Sequence, residues 1–292
     1  MVATLGFVVA YLPVCRSILR MAHECADVPA DDAPTCSLAL HGVARMHLDE
    51  IAQCWNQSAT TRWRTLSSSA RQATFEDVYS ERRWSPHGEH PLSGLGSSVA
   101  WTTSARAALL HTIKKYNVKH LVDVPCGDLT WMSTMFPIFE RLNVRYTGID
   151  IVRSQIASHK QRFEVPGVRE FSVLDLVDTP PPLGDLYFSR QMTQHMNAYD
   201  VLRMFHKWSR LAAASPALLL TTSYEKAVNG NFDPRLPGHD MIFLDFSQPP
   251  FNFPRPMEAF VEQRKSAFVE ELALWRLPLM VRGCPGDTLT AD

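Results

Sequence analysis

The sequence predicts a doubly wound α/β domain with a mostly parallel sheet and an N-terminal helical extension. Three observations carry this expectation. Short apolar runs alternate with helical stretches through the middle of the chain. Each run is brief enough for a strand buried on both faces. Three of them end in an acidic residue: Asp123, Asp150 and Asp175. Alternation of this kind argues for right-handed crossovers and one layered domain.

The predicted strands are residues 120–124, 145–149, 169–174, 185–188 and 217–222, and the predicted helices between them are 131–142, 154–163 and 199–213. A helix over 99–116 precedes the first strand; Lys114 and Lys115 in its last turn suit the helix dipole, and Asn117 ends it. Upstream, apolar residues recur near helical spacing over 38–55, and 67–79 continues in the same way. Residues 93–98, Ser-Gly-Leu-Gly-Ser-Ser, break the periodicity and read either as a lid over a ligand or as a connector. After Thr222 a proline-rich segment with Pro234, Pro237, Pro249, Pro250, Pro254 and Pro256 leads to an expected helix over 257–268 and a strand over 272–277.

These elements divide the chain into a leader and linker over 1–36, a helical cap with its glycine-serine loop over 37–98, and a catalytic domain over 99–292. With 46% apolar and 20% charged residues in 292, a sizeable core can be buried. The net charge is −1 and no Lys/Arg run stands out, so the broad attraction behind non-specific nucleic-acid binding has no visible source. The apolar stretch over 2–14 is shorter than the roughly 20 residues of a spanning helix, and its positive charges follow it rather than precede it. It reads as a buried leader or a weak membrane anchor, and a cytoplasmic location is expected. The cysteines at 15, 25, 36, 54, 126 and 284 form no Cys-x-x-Cys pair, so a structural metal is not expected; the four N-terminal ones are a reduced set or, on a secretory route, disulfide partners.

The chemistry concentrates at strand ends. In an open parallel sheet, ligands bind at the carboxyl ends of strands where the strand order reverses, and a glycine turn lets the backbone approach them. The first strand runs into Asp123-Val124-Pro125-Cys126-Gly127-Asp128, and Asp150 closes the second strand 23 positions after Gly127, near the roughly 20 expected of an acid that binds ribose hydroxyls. A carboxylate suits that task because it accepts from two vicinal hydroxyls at once. Asp175 closes the third strand, and the fourth runs from Asp185 into Ser189-Arg190-Gln191-Met192-Thr193-Gln194-His195.

Over roughly residues 75–280, an extent set by the order of elements, the chain resembles the class I S-adenosylmethionine-dependent methyltransferases. The resemblance implies S-adenosylmethionine as cofactor. Its methionine end would lie on the turn from Asp123 through Pro125, Cys126 and Gly127 to Asp128. Asp150 with Ile151 would hold the ribose, and Asp175 with Leu176 would lie near the adenine amine. Arg190 belongs to the fourth-strand motif beside the transferring methyl group. His195 reads as a general base, a substrate contact or an ordinary helix-start residue. The implied activity is methyl transfer to an unidentified small molecule, glycan or protein, with oxygen as the favoured acceptor atom.

Two departures from the family pattern stand out. Pro125 and Cys126 occupy positions where glycine is usual, and the Asp/Asn-Pro-Pro-Tyr signature of enzymes that methylate base or amide nitrogen is missing. The first leaves room for a non-catalytic binding protein on the same fold. A nicotinamide-dependent oxidoreductase is disfavoured, because Gly-x-Gly-x-x-Gly does not follow the first strand. The acceptor is expected against 224–256, near Asn229, Asn231, Arg235, His239 and Asp240. Tyr79, Trp84 and Trp131 read as packing, with the further capacity to face a sulfonium.

Overall fold

The computed structural model describes residues 66–88, 90–227, 229, 241–248 and 251–279. The leader, the helix expected over 38–55, and every cysteine except Cys126 lie outside the described residues.

Seven strands form one sheet: β1 (His120–Asp123), β2 (Arg145–Asp150), β3 (Arg169–Val173), β4 (Leu186–Ser189), β5 (Ala217–Glu225), β6 (Glu258–Arg264) and β7 (Val269–Leu277), in the spatial order β3-β2-β1-β4-β5-β7-β6. The first five run parallel, and β7 lies antiparallel between β5 and β6. Among the described residues the α-helices are α1 (Ser68–Ser80), α2 (Thr103–Lys115), α3 (Phe136–Arg141), α4 (Arg153–Phe163) and α5 (Ala198–Ala214). No described helix is long and apolar enough to cross a membrane.

Strand alternation sends neighbouring side chains to opposite faces, and each face has its own core. Leu121, Tyr146, Phe188 and Leu220 pack with Ala105, Leu109 and Ile113 of α2, Phe136 and Phe139 of α3, and Ile156 of α4. Val122, Ile149, Tyr187 and Leu219 pack on the other face with Val201, Met204, Phe205 and Trp208 of α5. Each such large apolar side chain, fully buried, contributes roughly 1.5–3 kcal/mol before entropy is counted. The two faces together fix the level of the strand ends.

The terminal residues follow local rules. Asn117, at φ 53°, ends α2 in the left-handed region that asparagine tolerates. Asn197 caps α5 by accepting from the Asp200 amide at 2.8 Å. The stretch expected as one helix over 131–142 is a 3-10 turn, Met132–Met135, followed by α3 with Pro137 near its start. The expected helix over 257–268 is instead β6. Its burial alternates along an edge strand with an irregularity between Val261 and Gln263, and pairing with β7 outweighs the helix propensity of Glu258, Ala259, Glu262 and Gln263.

Candidate functional site

The order reverses at β1, whose neighbours β2 and β4 lead away to opposite sides of the sheet. At the carboxyl ends of these strands lies a cavity of about 530 Å³, within the roughly 300–1,000 Å³ usual for small-molecule sites. Every residue named from the sequence for the cofactor, and His195, lines it. Asp123, Pro125, Cys126, Gly127 and Asp128 come from β1 and its turn; Asp150 and Ile151 follow β2. Asp175 and Leu176 follow β3, and Arg190 and His195 follow β4.

The turn is held from three sides. Cys126 donates its amide to Ile149 O at 2.8 Å, and Asp150 accepts from Gly127 N through Oδ2 and from Val152 N through Oδ1, each at 3.0 Å. Gly127 sits at φ 59°, and a Cβ there would stand 2.8 Å from Ser93 Oγ, so backbone conformation and space both require glycine. Ser93 is the third hold. Its Oγ accepts from the Asp128 amide at 2.9 Å, its own amide donates to Asp128 Oδ2 at 2.9 Å, and Tyr79 Oη lies 2.8 Å from Oγ. The glycine-serine loop is therefore clasped onto the 123–128 turn and forms part of the cavity wall.

Burial sets the electrostatics. Asp123 is 3% exposed. Loss of solvation pushes its carboxyl up to about 8, against the pull of the Tyr146 hydroxyl that donates to Oδ2 at 2.6 Å, and the charge of Asp150 adds to the rise. Burial likewise lifts Asp150 to about 6, opposed by the amides of Val152, Gly127 and Ile151. Burial and the neighbouring Asp150 and Asp123 push the Cys126 thiol up, so it is a packing group and no thiolate nucleophile.

Asp175 brings in a residue that the sequence gave no reason to place here. Arg71 of α1 donates to its Oδ2 from Nε at 2.9 Å and lies 2.8 Å away through Nη2, while Val177 N donates to Oδ1 at 3.0 Å. Arg71 also pairs with Asp178 and stands 3.6 Å from Asp200. One acceptor position on Oδ1 is left for a ligand. α1 further docks through Gln72 Nε2 to Ile151 O at 2.9 Å, and Glu76 Oε1 accepts from the first amide of α4, Arg153 N, at 2.6 Å. Phe75 and Tyr79 of α1, with Trp84 beyond it, line the cavity.

The far end of the cavity is built by β4 and the β6–β7 hairpin. Arg190 Nε donates to both Glu262 oxygens, at 3.0 and 3.1 Å, in a pair whose side chains are 6% and 3% exposed, and its Nη1 donates to Gly96 O at 2.9 Å. Gln191 Nε2 donates to Glu270 Oε1 at 2.7 Å. The His195 ring stands 4.8 Å from that of Trp84, tilted by 35°. Tyr224 donates to Gln194 Oε1, which turns the Gln194 amide nitrogen toward His195 Nε2 at 3.2 Å. A donor aimed at Nε2 requires that this nitrogen be unprotonated.

Of the residues expected to meet an acceptor, Asn229 braces its own loop: Nδ2 donates to Asp245 O at 2.7 Å and Oδ1 accepts from Asp245 N at 2.9 Å. Asn231, Arg235, His239 and Asp240 lie outside the described residues. Among the described residues, Met241, Gln263, Lys265 and Glu270 line that end. Two of these, Gln263 and Lys265, fall in the stretch expected as a helix, and a strand reading of 257–268 was the signal that would have found them.

No family model matches the chain, and no curated protein matches it by sequence. Solved structures do. The 1,6-didemethyltoxoflavin N1-methyltransferase of Burkholderia thailandensis, with 1,6-didemethyltoxoflavin and S-adenosylhomocysteine bound, superposes with a TM-score of 0.50 at 14% identity, over 75% of this chain and 94% of that one. The N-methyltransferase NodS of Bradyrhizobium japonicum, with S-adenosylhomocysteine, gives 0.48 at 15% identity over 69% and 99%. Magnesium protoporphyrin IX methyltransferase of Synechocystis, with S-adenosylmethionine bound, gives 0.48 at 10% over 73% and 99%. The chain has the Rossmann-like fold of the class I methyltransferases, and at these identities the likeness is one of fold.

Proposed function

We propose that the protein is an S-adenosylmethionine-dependent methyltransferase acting on a hydroxyl-bearing small molecule. The observation that carries this reading is the Asp150 carboxylate. It closes β2 at the cavity, oriented by the amides of Gly127 on Oδ2 and Val152 on Oδ1 with the Ile151 amide beside them, which leaves part of its acceptor capacity unspent. The remaining positions fit the two vicinal hydroxyls of a ribose. The glycine turn beside it takes the close approach of a ligand, and the cavity walls are aromatic. The fold supports the same reading, and β7, antiparallel between β5 and β6, departs from the all-parallel order of the nicotinamide domains.

When bound, S-adenosylmethionine supplies an electrophilic methyl group on a sulfonium, so the chain's own task is alignment and exclusion of water. Asp123, Pro125, Cys126, Gly127 and Asp128 would take the methionine end, Asp150 and Ile151 the ribose, and Asp175 and Leu176 the adenine. Tyr79, Trp84 and Trp131 present aromatic faces that attract a cationic sulfur. α1 and the Ser93–Asp128 clasp form one wall of the cavity. His195 would take the proton that an acceptor hydroxyl loses as it attacks, with the hydroxyl displacing the Gln194 amide from Nε2. Arg190, held by Glu262 and Gly96, would stand in the wall beside the transferring methyl group.

Incubation with methyl-labelled S-adenosylmethionine and a small-molecule extract tests the activity. Label should appear in a product with the parent protein and not with Asp150→Ala. Binding of the cofactor without any transfer would convert the reading to a binding protein.

A further inference from the structure

The cavity carries one acidic group that the proposed methyl transfer does not use. Glu270 of β7 is 3% exposed and lines the cavity at the end away from Asp150 and Asp175. Asp123, Asp128 and Asp150 belong to the proposed cofactor site, as does Asp175, which shares Arg71 with Asp178 and Asp200. Nearer this end, Arg190 is balanced by Glu262. Glu270 receives a hydrogen bond from the neutral amide of Gln191, and among the described residues no cation pairs with it. Arg190 Nη1 lies 3.4 Å from Gln191 Oε1, which fixes the amide with its nitrogen toward Glu270. Two carboxylates, Glu262 and Glu270, thus share the influence of one guanidinium. Glu262 registers this: burial raises its pKa, Arg190 lowers it, and the charge of Glu270 raises it again. Lys265 lines the same end, but its ammonium lies over the rings of Phe243 and Phe268, at 5.7 and 5.3 Å.

A buried carboxylate supported only by a neutral amide is costly until a cation meets it. We propose that Glu270 is the recognition site for a protonated amine on the acceptor, which makes the substrate class an organic cation with an apolar or aromatic body. The body has a place: Leu95, Trp101 and Met241 line the cavity and are 39%, 50% and 47% exposed, forming an apolar rim. The amine is a handle and not the methylated atom. It anchors beside Tyr224, the cross-strand neighbour of Glu270, whose hydroxyl reaches Gln194 and through it His195. Handle and proposed base therefore belong to one hydrogen-bonded patch. The inference rests on the methyltransferase reading for its second ligand, and the test separates the two.

The probes are 2-phenylethylamine, 2-phenylethanol and 3-phenylpropionate, titrated by calorimetry into the full chain with and without saturating S-adenosylhomocysteine. With the cofactor site filled, the amine should bind about 10- to 100-fold more tightly than the alcohol, the range of a charge-assisted hydrogen bond. The carboxylate should bind least. Glu270→Gln, whose amide oxygen still accepts from Gln191, should abolish the preference while Lys265→Met keeps it. Equal affinities for the three probes, failure of all three to bind, or a preference for the carboxylate would overturn the inference even if S-adenosylhomocysteine binds normally. If S-adenosylhomocysteine does not bind, the methyltransferase reading fails, and an amine preference that Glu270→Gln removes would still establish the cation site. Should that variant not fold, the parent's ranking of the three probes in the presence of S-adenosylhomocysteine decides the matter.

Discussion

Replacing Asp123 with Asn should make the protein less sensitive to alkaline pH. Burial raises the Asp123 carboxyl to about 8 in the folded state, against 3.8 for a free aspartate. Because the folded value is raised, the folded state keeps a proton that the unfolded chain has already released. Stability contributed by that proton is complete below the unfolded pKa and is lost as pH rises toward about 8. Between pH 6 and pH 8, above the pKa of about 6 of neighbouring Asp150, the parent should lose about 2 kcal/mol from Asp123, at 1.36 kcal/mol per bound proton per pH unit. The Asn amide keeps an oxygen for the Tyr146 hydroxyl and has no proton to release, so the variant should lack this slope. Urea unfolding of both proteins without cofactor at pH 6, 7 and 8 measures it, and groups common to both cancel in the comparison. Parallel stability curves would refute the assignment of a protonated carboxyl at Asp123.

Three further substitutions probe the site. Asp150→Asn sets an amide nitrogen against one of the two backbone donors from Gly127 and Val152, so S-adenosylhomocysteine should bind at least about 10-fold more weakly; an unchanged dissociation constant would remove Asp150 from the site. Gly127→Ala places a methyl group 2.8 Å from Ser93 Oγ at φ 59°, and left-handed strain alone should lower unfolding free energy by about 1–2 kcal/mol, with cofactor binding lost as the Ser93–Asp128 clasp opens. His195→Ala should lower turnover about 10²–10⁴-fold with cofactor affinity intact, and turnover of the parent should fall at acid pH; full activity in the variant would leave alignment as the source of rate.

How much of this was legible in the sequence follows from the range of the interactions. β1 to β5 announce themselves because each is a short apolar run between helical stretches, and the strand-end acids sit next to those runs. Local pattern was enough to bring Asp123, Gly127, Asp150, Asp175 and His195 to one cavity. β6 was not legible: an edge strand with Glu258, Glu262 and Gln263 carries no continuous apolar run, and its pairing with β7 is a tertiary fact. The same limit hid Arg71 and the partner of Ser93, whose loop the sequence offered as a lid or a connector. Arg71 lies 104 positions from Asp175, and Ser93 lies 35 from Asp128, so no spacing rule connects them. Arg190 was placed in the right wall, but its partner Glu262 lay in the stretch expected to be helical.

Calorimetric titration of the purified chain with S-adenosylhomocysteine and, separately, with NAD tests the central claim most directly, because the two ligands share a ribose and adenine but differ where the turn and fourth-strand residues act. The account predicts one equivalent of S-adenosylhomocysteine bound, weakened by Asp150→Asn, and no heat with NAD. Saturable binding of NAD with no response to S-adenosylhomocysteine would contradict it.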